Sequence, residues 1–305
     1  MIMKKAFTLI ELLIVIGIIA ILAGTLLVAG SGSTERGRAA KCATNMRNLA
    51  AASISYSVGN GGAFPRAQSG YSLKVDVSFG GSGLGYSAVP GWIRFLDEGA
   101  TYPMKSMGSA QECSFACPDQ DQITYALSHG ALWSLLGGNR STYMCPAFLD
   151  ACRNAGTKNP GWSYQMSAYF GYTPDRLASY SIWAHELKRA DRTLLFAEIP
   201  CLTLKANEKG TTTLPPVDLT GGNGTAACDG CLLYKSMGGS ESIGFNHRGN
   251  RRIFGHVAFA DGHVETITAP KNGNFIELTD WLCCGLDVIY RNGDYEEIRD
   301  SVEQN

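Results

Sequence analysis

Charge is scarce in this 305-residue chain: Lys, Arg, Asp and Glu make up 17% of it and nearly cancel, leaving a net charge of −1. No basic patch offers itself to nucleic acid, and no block of like charges forms an interaction tail. Catalytic signatures are missing too. There is no Gly-x-Ser-x-Gly elbow, no His-Glu-x-x-His and no phosphate-binding loop, and His185-Glu186 lacks the second histidine of a zinc-protease helix. No internal repeat is present. An active site is not visible, and the chain is not expected to be an enzyme.

One stretch lacks polarity almost entirely. In "AFTLIELLIVIGIIAILAGTLLVAG", residues 6–30, only Thr8, Glu11 and Thr25 carry polar side chains. As a helix, Phe7 to Val28 would run roughly 33 Å, enough to span a bilayer. A carboxylate at mid-bilayer costs about 2.5–3.5 kcal/mol, so a plain anchor has no use for Glu11. A cleaved secretory signal has a shorter apolar region, roughly 7–15 residues. Lys4 and Lys5 precede the run and, by the positive-inside rule, hold that end in the cytoplasm. The rest of the chain is then expected outside.

Ten cysteines stand at 42, 113, 117, 145, 152, 201, 228, 231, 283 and 284, and a disulfide-permissive compartment would explain them. Cys113, Cys117, Cys145, Cys152, Cys228 and Cys231 are the disulfide candidates, with connectivity left open. Cys113-x3-Cys117 and Cys228-x2-Cys231 could instead each give two ligands to zinc. A redox role for the latter lacks a surrounding βαβ pattern. Cys283 and Cys284 are adjacent and expected to have different partners. His247, His256 and His263 crowd one hairpin and could hold a metal with Asp261; the plainer reading packs them as ordinary strand residues. Asp287, Asn292 and Asp294 match no calcium-loop spacing. No cofactor is expected, with calcium or zinc as minor alternatives. Asn139-Arg-Ser and Asn223-Gly-Thr match the glycosylation sequon only weakly as signals.

After the apolar run, residues 29–37 hold Gly30, Gly32 and Gly37 and read as a joint or a melted helix turn. Ala39, Ala43, Met46, Ala50 and Ile54 then recur at helical steps, and Gly59, Gly61 and Gly62 should end that amphipathic helix. "YSLKVDVSF" (71–79) and "RTLLFAEI" (192–199) read as strands, "PGWIRFLDEG" and "HGALWSLLGG" as short helices, and 139–180 as aromatic and irregular. Residues 203–242, rich in Gly, Thr, Ser and Pro, read as a surface excursion. "GHVAFADGHVETIT" is the clearest hairpin, with Asp261-Gly262 between alternating runs.

"KKAFTLIELLIVIGIIAILA" resembles the N-terminus of type IV pilins and type II secretion pseudopilins. The resemblance implies a cut between Ala6 and Phe7 by a prepilin peptidase and N-methylation of Phe7, with Ala6 where the family usually has Gly. It also explains Glu11: in an assembly, the acid can meet the new Phe7 amine of a neighbour in a low-dielectric groove, where a shifted register would strand a buried charge. Gly17 and Gly24 would allow close helix approach. Further on, "AAKCATNMRNLAAA" (with Cys42, Asn45 and Leu49), "GWIRFLDE", "YMCP", "RTLLFAE" and "FNHRGNRRIFGHVAFADGHVETI" together resemble pilin-like proteins with a C-terminal H-X9-DG, prepilin processing-associated domain. His247, Asp261 and Gly262 would be its motif. The stretch from His247 to Asp261 is longer than that pattern, as an inserted turn in "RGNRR" would make it, which argues against a fixed His–Asp contact.

The expected fold is α+β: a long N-terminal helix, half membrane-spanning and half amphipathic, packed on a globular head with an antiparallel sheet. The divisions are a leader at 1–6, a transmembrane or filament-core helix at 7–29, a joint and amphipathic helix at 30–62, and an exported head at 63–305 with the H-X9-DG-like element at 245–267. The expected role is a structural subunit of a pilus-like or pseudopilus-like filament. Its partners would be copies of itself or other pilin-like subunits, the prepilin peptidase and inner-membrane assembly machinery, with the membrane but no nucleic acid. The chain would sit in the inner membrane by a single pass, N-terminus cytoplasmic and head periplasmic, before passing to a filament or the cell surface. The alternative is a membrane-tethered binding or adhesion module that uses the same processing route.

Overall fold

A computed structural model describes residues 9–67, 75–76, 84–85, 91–93, 120–154, 161–171, 182–200, 205–206, 212–213, 230–232, 236, 242–249, 252–270, 275–284, 288–291 and 294–297. Its dominant element is helix α1, Leu9–Gly59, 51 residues long, or about 77 Å at 1.5 Å per residue. The helix is unbroken through 29–37, where the sequence predicts a joint. Glycine costs a helix about 1 kcal/mol relative to alanine, but a helix already nucleated on both sides propagates through such positions at one hydrogen bond per residue. The expected stop is where the glycines put it. Gly61 adopts φ 67°, and the Gly62 N–H donates to the Ser57 carbonyl at 2.7 Å, satisfying one of the carbonyls a helix end leaves open.

Among the described residues the α-helices that follow are α2 (Gln120–Ser128), α3 (Pro146–Asn154) and α4 (Phe275–Cys283). The strands are β1 (Val75–Asp76), β2 (Leu84–Gly85), β3 (Tyr164–Ser167), β4 (Leu194–Glu198), β5 (Lys205–Ala206), β6 (Thr212–Thr213), β7 (Cys231–Leu232), β8 (His247–Gly249), β9 (Arg252–Phe259), β10 (Val264–Thr268), β11 (Val288–Arg291) and β12 (Asp294–Glu297). The main sheet runs β10-β9-β4-β3-β7, antiparallel except for the parallel β3–β7 pair, with β8 added to β9. The fold is thus α+β with a mostly antiparallel sheet.

β9 organises the sheet. One edge pairs along β10 from Phe254 to Ala258; the other pairs with β8 at Arg252–Phe254 and then with β4 at Val257–Phe259. His256 lies where that edge passes from one partner to the other. The β9–β10 hairpin turns at Asp261-Gly262 as its sequence indicates, with Gly262 at φ 95°. β8 also pairs antiparallel with β9, with Gly249 opposite Arg252; the rest of the expected inserted turn in "RGNRR", residues 250–251, lies outside the described residues.

The core lies between α1 and the sheet. Cys42, Met46, Leu49 and Ala50 are buried along α1, whereas Ala43 and Ile54 of the expected stripe are half-buried. The Trp92 ring stacks on Tyr143 at 6.0 Å and meets Phe196 edge-on at 5.2 Å. Its indole N–H donates to the Gly230 carbonyl at 3.0 Å. Gly230 sits at φ 77°, and a Cβ there would come within 2.6 Å of Ile93 Cδ1, so only glycine suits the position. Cys231–Leu232 therefore returns to the core from within the 203–242 stretch, which the sequence reading places on the surface. Two more readings shift: 129–138 forms turns, with the helix just before them, and β3 lies inside the region read as irregular. Of the expected strand 71–79, only Val75–Asp76 is described, and of "GWIRFLDE" only 91–93.

Candidate functional site

The two ends of α1 present different chemistry. At its start the described side chains, 9–21, are exposed and apolar: Leu9 is 82% exposed, Ile10 66% and Ile21 69%. Glu11 lies on this surface in the first turn, where a carboxylate also complements the helix dipole. Side chains 22–33 and residues 1–8, including Ala6 and Phe7, lie outside the described residues. Among the described residues no helix is long and apolar enough to cross a membrane; the stretch 9–21 alone is shorter than the ~20 residues a span needs.

Where α1 meets the sheet, side chains from five segments converge on Glu198, the last residue of β4. Glu198 is fully buried. Its Oε1 accepts from the His256 backbone N–H and faces His256 Nδ1, both at 2.9 Å; it lies 3.1 Å from Cys42 Sγ and 3.4 Å from His247 Nε2. Its Oε2 accepts from Asn246 Nδ2 at 2.8 Å. The other His247 nitrogen, Nδ1, lies 3.3 Å from Glu35 Oε1 on α1. Cys145 Sγ, at the foot of α3, is 3.5 Å from His247 Nε2, and the Tyr164 hydroxyl is 3.4 Å from Cys42 Sγ. Cys42, Glu198, His247 and His256 are all buried, with ligand-type atoms within 4.8 Å of one another.

Burial opposes ionisation of Glu198, but the bonds to His247 and His256 outweigh it and hold its carboxyl down at about 2. Burial likewise opposes protonation of His247, yet its contacts with Cys145 and Glu198 push it up to about 11. Burial drives the Cys42 thiol well up, reinforced by Cys145 and Glu198. At Cys145 burial is overcome by the Cys42 hydrogen bond and by His247, and the thiol is lowered. In the absence of a metal ion the cluster is therefore a carboxylate–imidazolium pair sealed in the core, linking α1, β4, β8, β9 and the start of α3.

The sequence-derived candidates scatter around this centre. His247 is in it; Asp261 and Gly262 are not, because they form the distant hairpin turn. There Asp261 Oδ1 accepts from the His263 backbone N–H at 3.0 Å, and the His263 ring stacks on Phe259 at 4.5 Å. The alternative grouping of three histidines with Asp261 does not assemble: His247 and His256 share Glu198, whereas His263 stands between Asp261 and Glu265. No disulfide joins any described cysteine. Cys145 sits in the cluster, Cys152 and Cys231 are buried in the apolar core, and Cys113, Cys117 and Cys228 lie outside the described residues. Cys283 is buried and Cys284 exposed. Glu198 and Glu35 were not singled out from sequence. The one local sign of Glu198 is a carboxylate closing an otherwise apolar strand in "RTLLFAE".

No curated protein and no solved structure matches the chain. Residues 1–27 match the model of the prokaryotic N-terminal methylation motif, and that match supports a pilin-like protein.

Proposed function

We propose that the chain is a structural subunit of a pilus-like or pseudopilus-like filament, cut by prepilin peptidase before Phe7 and assembled through the first half of α1. The observation that carries this reading is the methylation motif placed on a helix whose described N-terminal side chains, 9–21, face outward as an apolar surface. Such a surface needs lipid or other helices to cover it. In the membrane it is the solvent-matched half of a single-pass anchor; in the filament the same surface packs against neighbouring copies. The continuity of α1 couples the two settings, because one rigid rod links the packing half to the head. Glu11 then sets the stagger by pairing with the Phe7 amine of an adjacent subunit, where a wrong register would leave a charge unpaired in low dielectric. The head, with its H-X9-DG-like stretch at 245–267, is carried outward and has no catalytic task in this reading.

Mass spectrometry of the N-terminus of the native protein is the test. N-methylphenylalanine at Phe7 is the expected start. A mature chain that begins anywhere else, or that retains Met1, overturns the reading. Shear preparations of surface filaments should contain the chain; a processed chain that never leaves the membrane fraction would favour the tethered binding module instead.

A further inference from the structure

We propose that Cys42 Sγ, Glu198 Oε1, His247 Nε2 and His256 Nδ1 form a tetrahedral binding site for a structural zinc ion that fastens α1 to the sheet of the head. The inference stands on the geometry of the buried cluster and is independent of filament assembly.

Three features of the cluster suit a cation better than hydrogen bonds alone. The first is crowding on one atom. A carboxylate oxygen offers about two lone-pair directions, yet Glu198 Oε1 is approached by the His256 backbone N–H, His256 Nδ1, Cys42 Sγ and His247 Nε2. A cation among these atoms would let each side chain turn a lone pair inward. The second is spacing. Bonds of about 2.0–2.3 Å to nitrogen, oxygen and sulfur give tetrahedral edges of roughly 3.3–3.6 Å. The observed Oε1 separations of 2.9, 3.1 and 3.4 Å lie within a few tenths of an ångström of this range, and all four ligand atoms lie within 4.8 Å of one another. The third is charge. A divalent ion with one thiolate, one carboxylate and two neutral imidazoles is net neutral, the condition that a dry core demands.

The surroundings are those that metal-binding side chains require. A ligating histidine holds its orientation when its second nitrogen meets a carboxylate, and His247 Nδ1 meets Glu35 Oε1 at 3.3 Å. Glu198 Oε2 is held by Asn246, which also binds the Ile199 carbonyl at 2.9 Å. The Tyr164 hydroxyl stands beside Cys42 Sγ. A mixed sulfur, nitrogen and oxygen donor set in a closed, buried site favours zinc over the hard cations calcium and magnesium, which take oxygen ligands. This donor set also differs from the paired Cys-x2-Cys and Cys-x3-Cys motifs that sequence spacing alone brings forward.

The test uses the full chain, purified in detergent without chelators, and measures its metal by inductively coupled plasma mass spectrometry. Near-stoichiometric zinc is expected, falling to near zero in Cys42→Ser and in His256→Ala. Cobalt(II) exchanged into the wild-type protein should give thiolate charge-transfer and tetrahedral visible bands, which keeps the test decisive if the variants do not fold. A wild-type chain without zinc and without the cobalt–thiolate band overturns the proposal. So does zinc that survives Cys42→Ser but is lost in Cys228→Ser, and so does a Cys42–Cys145 disulfide found by peptide mapping of rapidly alkylated native protein.

Discussion

Helix α1 carries apolar surface along both halves, and the halves treat it in opposite ways. From Cys42 onward the apolar stripe is buried against β4, β8 and β9, and beneath it the Glu198 carboxylate meets His247, His256 and Cys42 of the same chain. From Leu9 to Ile21 the apolar side chains face outward, and a carboxylate, Glu11, stands among them. An acid stands in an apolar setting at each end: Glu11 on the helix itself, and Glu198 on β4 beneath the docked half. Glu198 has its partners within the fold, His247, His256, Cys42 and Asn246, so its effect is on stability. Glu11, in the proposed assembly, finds its counter-charge on another molecule, so its effect is on association. The same physics, the cost of a charge out of water, serves folding at Glu198 and, in the proposed assembly, register at Glu11.

The sharpest way to break this contrast is to neutralise each acid. Glu198→Gln removes the carboxylate at the centre of the cluster and puts an amide where the His256 backbone N–H and Asn246 Nδ2 donate. Removing one member of a buried, hydrogen-bonded charge group costs about 3–5 kcal/mol, so the head should melt far below wild type or fail to fold, read by thermal circular dichroism. Glu11→Leu should leave that melting curve within about 0.5 kcal/mol of wild type, as surface changes do, while filament yield collapses. Equal head stability in both variants would remove the distinction. A step down in size, Leu49→Ala on the buried stripe should cost about 2–5 kcal/mol in urea unfolding, whereas Leu13→Ala, 59% exposed, should leave the head unaffected.

Gly230→Ala should follow, at about 1–3 kcal/mol. Its Cβ would press on Ile93 and Trp92, and overpacking at a left-handed backbone position costs about that much. A fall in the urea midpoint with an unchanged slope is the expected signature. An unchanged midpoint would mean that the 230–232 return to the core is not fixed by this contact.

What could be read from sequence was what is local. Asp261-Gly262 fixed a hairpin because a two-residue turn has its own chemistry, and "RTLLFAE" announced a buried strand by composition. The glycines at 29–37 misled, since a local count of poor helix formers does not register the good ones that carry the helix across. Cys231–Leu232 was hidden because a parallel pairing with β3 has no nearby partner in the sequence. The Glu198 cluster was hidden for the same reason on a larger scale: positions 42, 198, 247 and 256 share no spacing rule, and only the passage of β9 from β8 to β4 brings them together. Between His247 and Asp261 the chain runs through β8 and β9, which pair with each other.

The smallest expected effect lies at the rim of the docked half. Arg38 on α1 contacts Asp150 on α3 and lies 3.7 Å from Glu35, with 37% of its side chain exposed. Partly exposed pairs contribute about 0.2–1 kcal/mol, so Arg38→Ala should lower the urea midpoint slightly. That loss should shrink further between low salt and 1 M salt, where the screening length falls to about 3 Å. Because Glu35 also faces His247 Nδ1, removing Arg38 leaves that carboxylate with its internal partner, and the larger Glu198 effect should be unchanged in the Arg38→Ala background. Non-additivity beyond about 0.5 kcal/mol between the two substitutions would show that the rim and the buried cluster act as one unit, and would extend the ionic fastening of α1 out to the surface of the head.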